Sequence, residues 1–376
     1  MTTRPPRAIW CSVRFPARTA TLPWGSDAAR AGAGLETLVP HHLGVDGGAG
    51  RFVAGHLAAP AAAVTGGEPV VLEPVGTSFR RWALRLAAHA PARRVEAGLW
   101  REVLATPDPL IGSRGLDRAR DTVARSQALT VRLPAEVTAP LLGAVPAAFH
   151  GEINDVLLAG LARAVCRWRG DRGPVLLDME GHGREQFAAD LDLSRTVGWF
   201  TTVYPVCLDP GDTDAATAVK RVKEQLRAIP DKGLGYGLLR YLDPAGAGEL
   251  EHPGPQIGFN YLGRFTDTPT PAGDGASVWA SLTGIGGGGD ENMPLAHVVE
   301  VNSVITGNDS GGLELTASWR WAPELITHDR VDALARAWFE ELTQIVAAVA
   351  QGSGGHTTSD FPLTPIGQTE IDTLDT

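Results

Sequence analysis

His41-His42-Leu43-Gly44-Val45-Asp46-Gly47 is the stretch from which the fold of this chain can be worked out. Successive side chains of a strand leave opposite faces, so one histidine can face a cavity while its neighbour packs. Asp46-Gly47 is a turn signal, and glycine tolerates a positive φ, so the chain should reverse just after the histidines. Leu35–Val39 is a short apolar segment that we expect to be the strand presenting them.

The amino-acid composition favours some classes of protein and excludes others. The 376 residues are enough for two or three domains, and 43% hydrophobic with 20% charged residues is typical of a soluble globular protein. No apolar run is long enough to span a bilayer, so we expect a cytosolic chain. The three cysteines are too widely spaced for a disulfide framework or a cysteine zinc site, and the net charge of -10 argues against a nucleic-acid surface.

Strands alternate with helices along the chain, which predicts a mixed α/β fold. Helices are expected at 51–64, 77–90 and 152–168 and after the cap residues Asp214 and Thr327. Strands are expected at 128–133, 175–179, 197–208 and 313–319. Pro205 cannot donate a ladder hydrogen bond, so its strand should lie at an edge or bulge.

Three stretches carry more unusual residues than a plain scaffold needs. Glu180-Gly181-His182-Gly183-Arg184-Glu185 places an acid at the end of a buried strand, followed by glycines that allow close approach. Lys232–Tyr241 superficially resembles a phosphate loop but lacks the Gly-Lys-Ser/Thr ending, so we discount that interpretation. Gly258–Phe265 sets the amide of Asn260 beside the phenol of Tyr261.

Five motifs together resemble the epimerization domain of nonribosomal peptide synthetases, which is part of the condensation-domain superfamily. They lie at residues 41–47, 180–185, 194–201, 233–242 and 259–265. The first is shared by the whole superfamily, whereas the other four are more specific and their order and spacing also fit. The resemblance covers roughly residues 35–369, including Thr358–Leu363 near the end.

This resemblance implies an α/β fold of two chloramphenicol-acetyltransferase-like lobes in a V shape, with the active site in a tunnel between them. Residues 35–132 would be a partial N-terminal lobe, 133–352 the C-terminal lobe and 353–376 an exit linker or docking tail, after a poorly ordered leader at 1–34. A peptidyl carrier protein would present an aminoacyl or peptidyl thioester on its 4'-phosphopantetheine arm. Neighbouring synthetase modules, such as a downstream condensation domain, would be further partners.

The implied reaction inverts the Cα of that thioester from L to D. In the family, the second histidine of the first motif and the Glu that opens the second motif face Cα, and these match His42 and Glu180. The chemistry suits these residue types, because inversion needs a base on one face and a proton donor on the other. His and Glu can exchange those roles near neutral pH if burial raises the carboxyl pKa.

The remaining site residues are assigned supporting roles. Asn260 and Tyr261 are candidates for positioning the substrate or donating hydrogen bonds to the enolate oxygen. His41 is expected to pack, Gly47 to shape the turn, and Asp46 to hold the loop through an ion pair with Arg184 or Arg195. No metal or pyridoxal site is required, since the thioester itself activates the α-proton, and the chain is expected to bind neither nucleic acid nor membrane.

Two departures from the family leave alternatives open. Only forty residues precede His41, so we expect an incomplete N-terminal lobe, and Gly48-Ala49-Gly50 stands where the family usually carries Val-Ser-Trp. These small residues should weaken the helix that follows. One alternative is a condensation-type acyltransferase that makes an amide bond, although the four specific motifs argue against it. The other is a catalytically inactive remnant that only docks a carrier domain.

Overall fold

A computed structural model describes residues 11–14, 29–31, 35–38, 44–46, 69, 71–265, 279–280, 290–308, 311–363 and 366–374, with backbone only in its first three segments, at 279–280, and at 265, 372 and 374. The chain divides into two compact units. The first unit comprises Met1–Ala88, His182–Thr201 and Thr266–Met293, and the second comprises His89–Gly181, Thr202–Phe265 and Pro294–Thr376. The helix expected at 51–64 lies outside the described residues.

A six-stranded sheet forms the centre of the second unit. Its strands are β4 (Gln127–Leu133), β5 (Val175–Gly181), β6 (Thr202–Leu208), β7 (Ile257–Phe265), β9 (Val299–Gly307) and β10 (Leu313–Trp321). Their order is β4-β10-β9-β7-β5-β6. β7 runs parallel to both β5 and β9, and the other neighbours are antiparallel, which confirms the predicted mixed α/β class.

The first unit contains a smaller antiparallel sheet. Its strands are β1 (Cys11–Arg14), β2 (Ala29–Ala31), β3 (Leu35–Leu38) and β8 (Trp279–Ala280). Their order is β2-β3-β1-β8. β3 confirms the strand expected just before the double histidine. The strands β1 and β2 lie in a stretch where the sequence shows no sustained period.

Helix α1 (Phe79–His89) confirms the helix expected at 77–90. The Oγ atom of Ser78 caps it by accepting a hydrogen bond of 3.2 Å from the backbone N–H of Arg81. Trp82 is buried against Phe200, with ring centroids 4.6 Å apart, and the two belong to a small apolar cluster of the first unit that also includes Leu191 and Leu193. The cluster therefore anchors the helix to the 191–200 segment of the same unit.

The second unit contains eight described helices, and those that begin at Ile153, Ala215 and His328 follow the predicted start signals. The eight are α2 (Ala97–Leu104), α3 (Ala135–Leu142), α4 (Ala144–Ala148), α5 (Ile153–Arg169), α6 (Ala215–Arg227), α7 (Leu234–Gly237), α8 (His328–Ala350) and α9 (Gln368–Leu374). Glu152 and Asp155 form a capping box at the start of α5, and Gly170 ends it with φ 75°. The Asp214 carboxylate accepts from the N–H groups of Ala216 and Thr217, as a cap should.

One face of the six-stranded sheet is covered by helices and the other is polar. Along β9, Val299, Val301 and Ile305 are fully buried, whereas Glu300 and Asn302 between them are only half-buried. This alternation is expected of a strand with one face on a core. On the covered side, Trp338 of α8 packs edge-on against Trp319 and donates from Nε1 to the backbone oxygen of Leu157 in α5, at 3.0 Å.

Two segments differ from or refine the sequence-based expectation. The strand expected from Val197 begins at Thr202, because residues 197–201 belong to the first unit. Pro205 does lie in the edge strand β6, as predicted. The glycine-rich segment at 232–241 is no phosphate loop: it consists of short helical turns at Pro230–Gly233, Leu234–Gly237 and Leu238–Leu242.

Candidate functional site

The polar face of the central sheet gathers side chains from three adjacent strands. Asp178 of β5 pairs in register with Gly258 of β7, which in turn pairs with Glu300 of β9. One row further along, Asn260 pairs with Asn302. Since alternate residues share a face, Glu180 and Asn260 lie on the same side as Glu300 and Asn302.

Glu180 and Asn260 are in direct contact. The Nδ2 atom of Asn260 donates to Oε2 of Glu180 at 2.7 Å. The two residues are 80 positions apart in sequence, and the parallel pairing of β5 with β7 brings them together. Glu180 was expected at the end of its strand and is its penultimate residue.

The surroundings of Glu180 favour its protonated form. Removal from water is the largest cause, and the negative charge of Glu300 adds to it, while His297 acts in the opposite direction; together they raise the pKa of Glu180 to about 7. A carboxyl group with this pKa is about half protonated at neutral pH. It can therefore either take up or release a proton without a large energetic cost.

Asn260 is itself held in place, whereas Tyr261 faces away from Glu180. The hydroxyl of Ser303 donates to the backbone oxygen of Asn260 at 3.1 Å. Tyr261 is the next residue along β7, and it is half-buried against the hydrophobic core. The structure therefore places Asn260 beside the acid, and Tyr261 on the packed side of the strand.

Asp46 connects two segments of the first unit. Its Oδ2 atom accepts hydrogen bonds from the backbone N–H groups of Phe200 at 2.7 Å and Thr201 at 3.2 Å. Its own N–H donates to the oxygen of Gly198 at 3.3 Å, and the residue is only 3% exposed. The sequence predicted an ion pair of Asp46 with Arg184 or Arg195, and Asp46 does attract Arg184 electrostatically. The backbone partners of Asp46 were not predicted, because no local pattern indicates them.

Arg184 supports the same region of the first unit. Its guanidinium donates to the backbone oxygens of Leu193 at 2.8 Å and Thr196 at 2.9 Å, and lies 4.0 Å from the ring centroid of Phe200. Burial lowers the pKa of Arg184, and attraction to Asp46 opposes that effect. Arg195 has a buried Nε atom that finds no hydrogen-bond partner within the described part of the chain.

His41, His42 and Gly47 lie outside the described residues, so their assignment stays a prediction. Of the other assigned residues, the structure brings Glu180 and Asn260 together in the second unit. It brings Asp46 and Arg184 to the 193–201 segment of the first unit.

Two charged or titratable side chains near Glu180 were not identified from the sequence. His297 lies with Nε2 3.0 Å from Oδ2 of Asp178. Glu300 accepts a hydrogen bond from Nδ2 of Asn302 at 2.7 Å. The alternation of polar and apolar residues in Val299-Glu300-Val301-Asn302 was a usable signal for Glu300, whereas nothing in the local sequence marks His297.

Two other kinds of feature are absent from the described residues. No three or more His, Cys, Asp and Glu side chains are grouped there so that they could hold a metal ion. No helix in the same residues is long and apolar enough to cross a membrane.

Comparison with known proteins identifies the family of this chain. Residues 35–278 match the model of the condensation domain. The chain is 36% identical over 341 residues to a linear gramicidin synthase protein of Brevibacillus parabrevis, and 32% identical over 352 residues to bacitracin synthase 1 of Bacillus licheniformis. These alignments cover 89% and 92% of the chain but only 6% of each relative, so the chain spans a small part of their length.

Solved structures give the same result. The epimerization domain from the third module of tyrocidine synthetase B is 27% identical, with a TM-score of 0.70 over 84% of this chain and 69% of that domain. The X-domain from teicoplanin biosynthesis shares the fold at 19% identity, with a TM-score of 0.59 over 88% of this chain and 73% of its own. The family match, which covers more than half of the sequence, shows that this chain belongs to the condensation-domain family.

Proposed function

We propose that the chain inverts the Cα of an aminoacyl or peptidyl group carried as a thioester on the 4'-phosphopantetheine arm of a carrier protein. The observation that carries this proposal is Glu180, a desolvated carboxyl group with a pKa raised to about 7 that accepts a hydrogen bond from Asn260. The likeness to an epimerization domain at 27% identity supports the same reaction.

The proposed reaction uses two proton carriers that share one proton between them. The basic member removes the α-proton on one face of Cα, and the C–H electron pair passes into the thioester carbonyl to give an enolate. The acidic member then delivers its proton to the other face, and the carbonyl re-forms. Each turnover leaves the two carriers with exchanged protonation states, so both must titrate near the working pH.

Glu180 is proposed as one of these carriers and His42 as the other. The assignment of His42 rests on its match to the second histidine of the family motif. Histidine is the side chain whose charge changes most readily near physiological pH, and the pKa of Glu180 is raised to about 7. An imidazole and this carboxyl group are therefore suitable partners for a reversible inversion.

Asn260 is proposed to orient the Glu180 carboxyl group toward Cα. Its amide donates to one carboxyl oxygen at 2.7 Å and leaves the other oxygen available to the substrate. Tyr261 is proposed to support this strand from the packed side. Asp46, Gly47, Arg184 and Arg195 are proposed to shape the loops of the first unit, and His41 to pack beside His42.

A direct test loads a phosphopantetheinylated carrier protein with an L-aminoacyl group and follows α-proton exchange in D2O together with the D-isomer formed. The wild-type chain should exchange the proton, and Glu180→Gln and His42→Ala should each lose the activity. Glu314→Gln is a matched control, because Glu314 lies on β10 and accepts a hydrogen bond from Asn308 at 2.9 Å, as Glu180 does from Asn260. Exchange that persists in Glu180→Gln would contradict the proposal.

Amide-bond formation is the second candidate, because the family match is to the condensation domain. The same loaded carrier, supplied with an amine acceptor, distinguishes the two reactions. Amide product without α-proton exchange would favour condensation. A wild-type chain that binds the carrier but yields neither exchange nor amide would favour a docking remnant.

A further inference from the structure

His297 lies over the central sheet at a position that only a glycine beneath it allows. It precedes β9, and its side chain is 12% exposed. A Cβ atom at Gly258 would lie 2.4 Å from Nδ1 of His297, which is too close for any side chain other than hydrogen. Gly258 is the register partner of both Asp178 and Glu300, so these three residues form one row across the sheet. The imidazole ring of His297 lies over this row, which is next to the row that contains Glu180.

Asp178 holds this ring. Its Oδ2 atom lies 3.0 Å from Nε2 of His297, and the Asp178 side chain is 17% exposed. Positive charge lies close to Asp178, which interacts electrostatically with Arg240, and Arg240 is held by the hydroxyl of Tyr236 and the backbone oxygen of His252. Asp178 therefore fixes the orientation of the His297 ring through this contact.

Glu300 lies on β9, two strands away from Glu180 in the sheet, and its charge acts on Glu180 in the opposite direction to that of His297. Its Oε1 atom is held by Asn302, and its register partner on β10 is Arg320. Among the described residues, the charges that act on Glu180 are those of His297, ahead of β9, and Glu300, on β9. Asp178 lies two residues before Glu180 on β5 and interacts in turn with Arg240, Tyr236 and His252.

We propose that Asp178 and His297 form a positioning pair that stabilises ionised Glu180, and that Glu300 stabilises protonated Glu180. The inference deepens the proposed function and rests on it for its biological meaning. Protonated His297 attracts the Glu180 carboxylate, whereas the Glu300 carboxylate repels it. Removal from water raises the pKa of Glu180 most, and these two charges adjust it in opposite directions.

The test is a titration of the Glu180 carboxyl group in the full chain by NMR, with 13C-labelled glutamate and Glu180→Gln to assign the resonance. Removing the positive partner in His297→Gln should raise the midpoint by about one pH unit. Gly258→Ala should do the same by displacing the ring. Glu300→Gln should lower the midpoint by a similar amount.

Two matched controls should leave the midpoint where it is in the wild type. His328→Gln removes an exposed histidine at the start of α8, and Glu314→Gln removes a glutamate on β10. Folded His297→Gln and Glu300→Gln variants with unmoved midpoints, or with midpoints that move in the same direction, overturn the inference.

The pH profile of α-proton exchange provides a second readout that separates this inference from the proposed function. If the wild-type chain exchanges the α-proton, the profile should shift in the same direction as the NMR midpoint in each variant. If the wild-type chain shows no exchange but the midpoints shift in opposite directions, the proposed function fails while the positioning pair is supported.

Discussion

At the scale of single residues, ionisation of Glu180 destabilises the folded chain. Its pKa is raised to about 7 in the folded chain, compared with about 4.3 for an unperturbed glutamate. The folded state holds the proton on Glu180 more tightly than the unfolded state does. The stabilisation that this proton gives the fold is therefore complete below about pH 4 and is lost as the pH rises to about 7.

Glu180→Gln should therefore stabilise the chain more at high pH than at low pH. The difference between variant and wild type in free energy of unfolding should grow between about pH 4.5 and 7 by an amount on the order of 3 kcal/mol, and then stay level. Urea unfolding at pH 5, 6, 7 and 8 measures it. A pH-independent difference would show that Glu180 titrates alike in both states.

Asn260 is expected to affect the rate of the proposed reaction more than the binding of its substrate. Asn260→Ala removes the 2.7 Å hydrogen bond that orients the Glu180 carboxyl group. We expect α-proton exchange to slow about a hundredfold with little change in KM, because a misaligned acid loses catalytic power before binding is affected. Asn292→Ala, at an exposed position outside the sheet, is the control.

At the scale of elements, the glycines at 233–237 show which parts of a motif are dictated by packing. Gly233 has φ 78°, and a Cβ atom there would lie 2.1 Å from the ring of Tyr204. At Gly235, a Cβ atom would lie 1.9 Å from Oε2 of Glu96, a buried carboxylate that also accepts from Nε1 of Trp100 at 3.1 Å. By contrast, nothing lies within 4 Å at Gly237, which has helical φ and ψ.

These differences predict three distinct outcomes for substitution by alanine. Gly233→Ala should lower the free energy of unfolding by about 3 kcal/mol, since it adds both backbone strain and a clash. Gly235→Ala should destabilise by about 2 kcal/mol through the clash alone. Gly237→Ala should be neutral or slightly stabilising, because it restricts the unfolded chain. Thermal and urea unfolding provide the measurement, and equal effects at all three positions would contradict this packing explanation.

The sequence predicted elements well where the information is local. The apolar period and Gly170 defined α5, Asp214 defined the start of α6, and the proline in β6 indicated an edge strand. The start of β6 was misjudged because Val197-Gly198-Trp199-Phe200 has the composition of a strand. Within this stretch, the backbone groups of Gly198 and Phe200 instead hydrogen-bond to Asp46, which is more than 150 positions away in sequence.

At the scale of the whole molecule, what the sequence could not provide is strand register. Glu180 and Asn260 were identified individually from motifs, yet their contact depends on the pairing of β5 with β7 across 80 residues. His297 and Glu300 depend on the next pairing, between β7 and β9. Local motifs thus singled out Glu180 and Asn260 as candidates, whereas the charged groups that shift the pKa of Glu180 come from a distant segment.

The C-terminal part of the second unit is attached through a buried ion pair. Lys223 of α6 is fully buried, and its Nζ atom donates to both carboxylate oxygens of Asp360, at 2.7 and 2.6 Å, and to the backbone oxygen of Phe149 at 2.8 Å. Burial alone would raise the pKa of Asp360, but hydrogen bonds from Lys223 and from Thr357 outweigh it, and the pKa is lowered.

Removing one partner of this buried ion pair should therefore lower the free energy of unfolding far more than removing one partner of an exposed ion pair. Lys223→Met should lower the free energy of unfolding at pH 7 by about 3 kcal/mol, because it leaves Asp360 without its cation. The double variant Lys223→Met/Asp360→Asn should recover part of that loss. Arg221 lies on the same helix as Lys223 and forms an exposed pair with Asp209, and Arg221→Met should lower the free energy of unfolding by less than about 1 kcal/mol.

The pH dependence of the same variants provides an independent check of the sign. Since the pKa of Asp360 is lowered on folding, the stabilisation is present above the ordinary aspartate pKa and is lost as the pH falls through the lowered value. The difference in free energy of unfolding between wild type and Lys223→Met should therefore narrow as the pH falls, because Asp360 in the variant keeps its burial but loses the cation that opposes it. A gap that widens on acidification would mean that Asp360 holds its proton in the folded chain, and the ion pair would then not be what attaches residues 357–360 to α6.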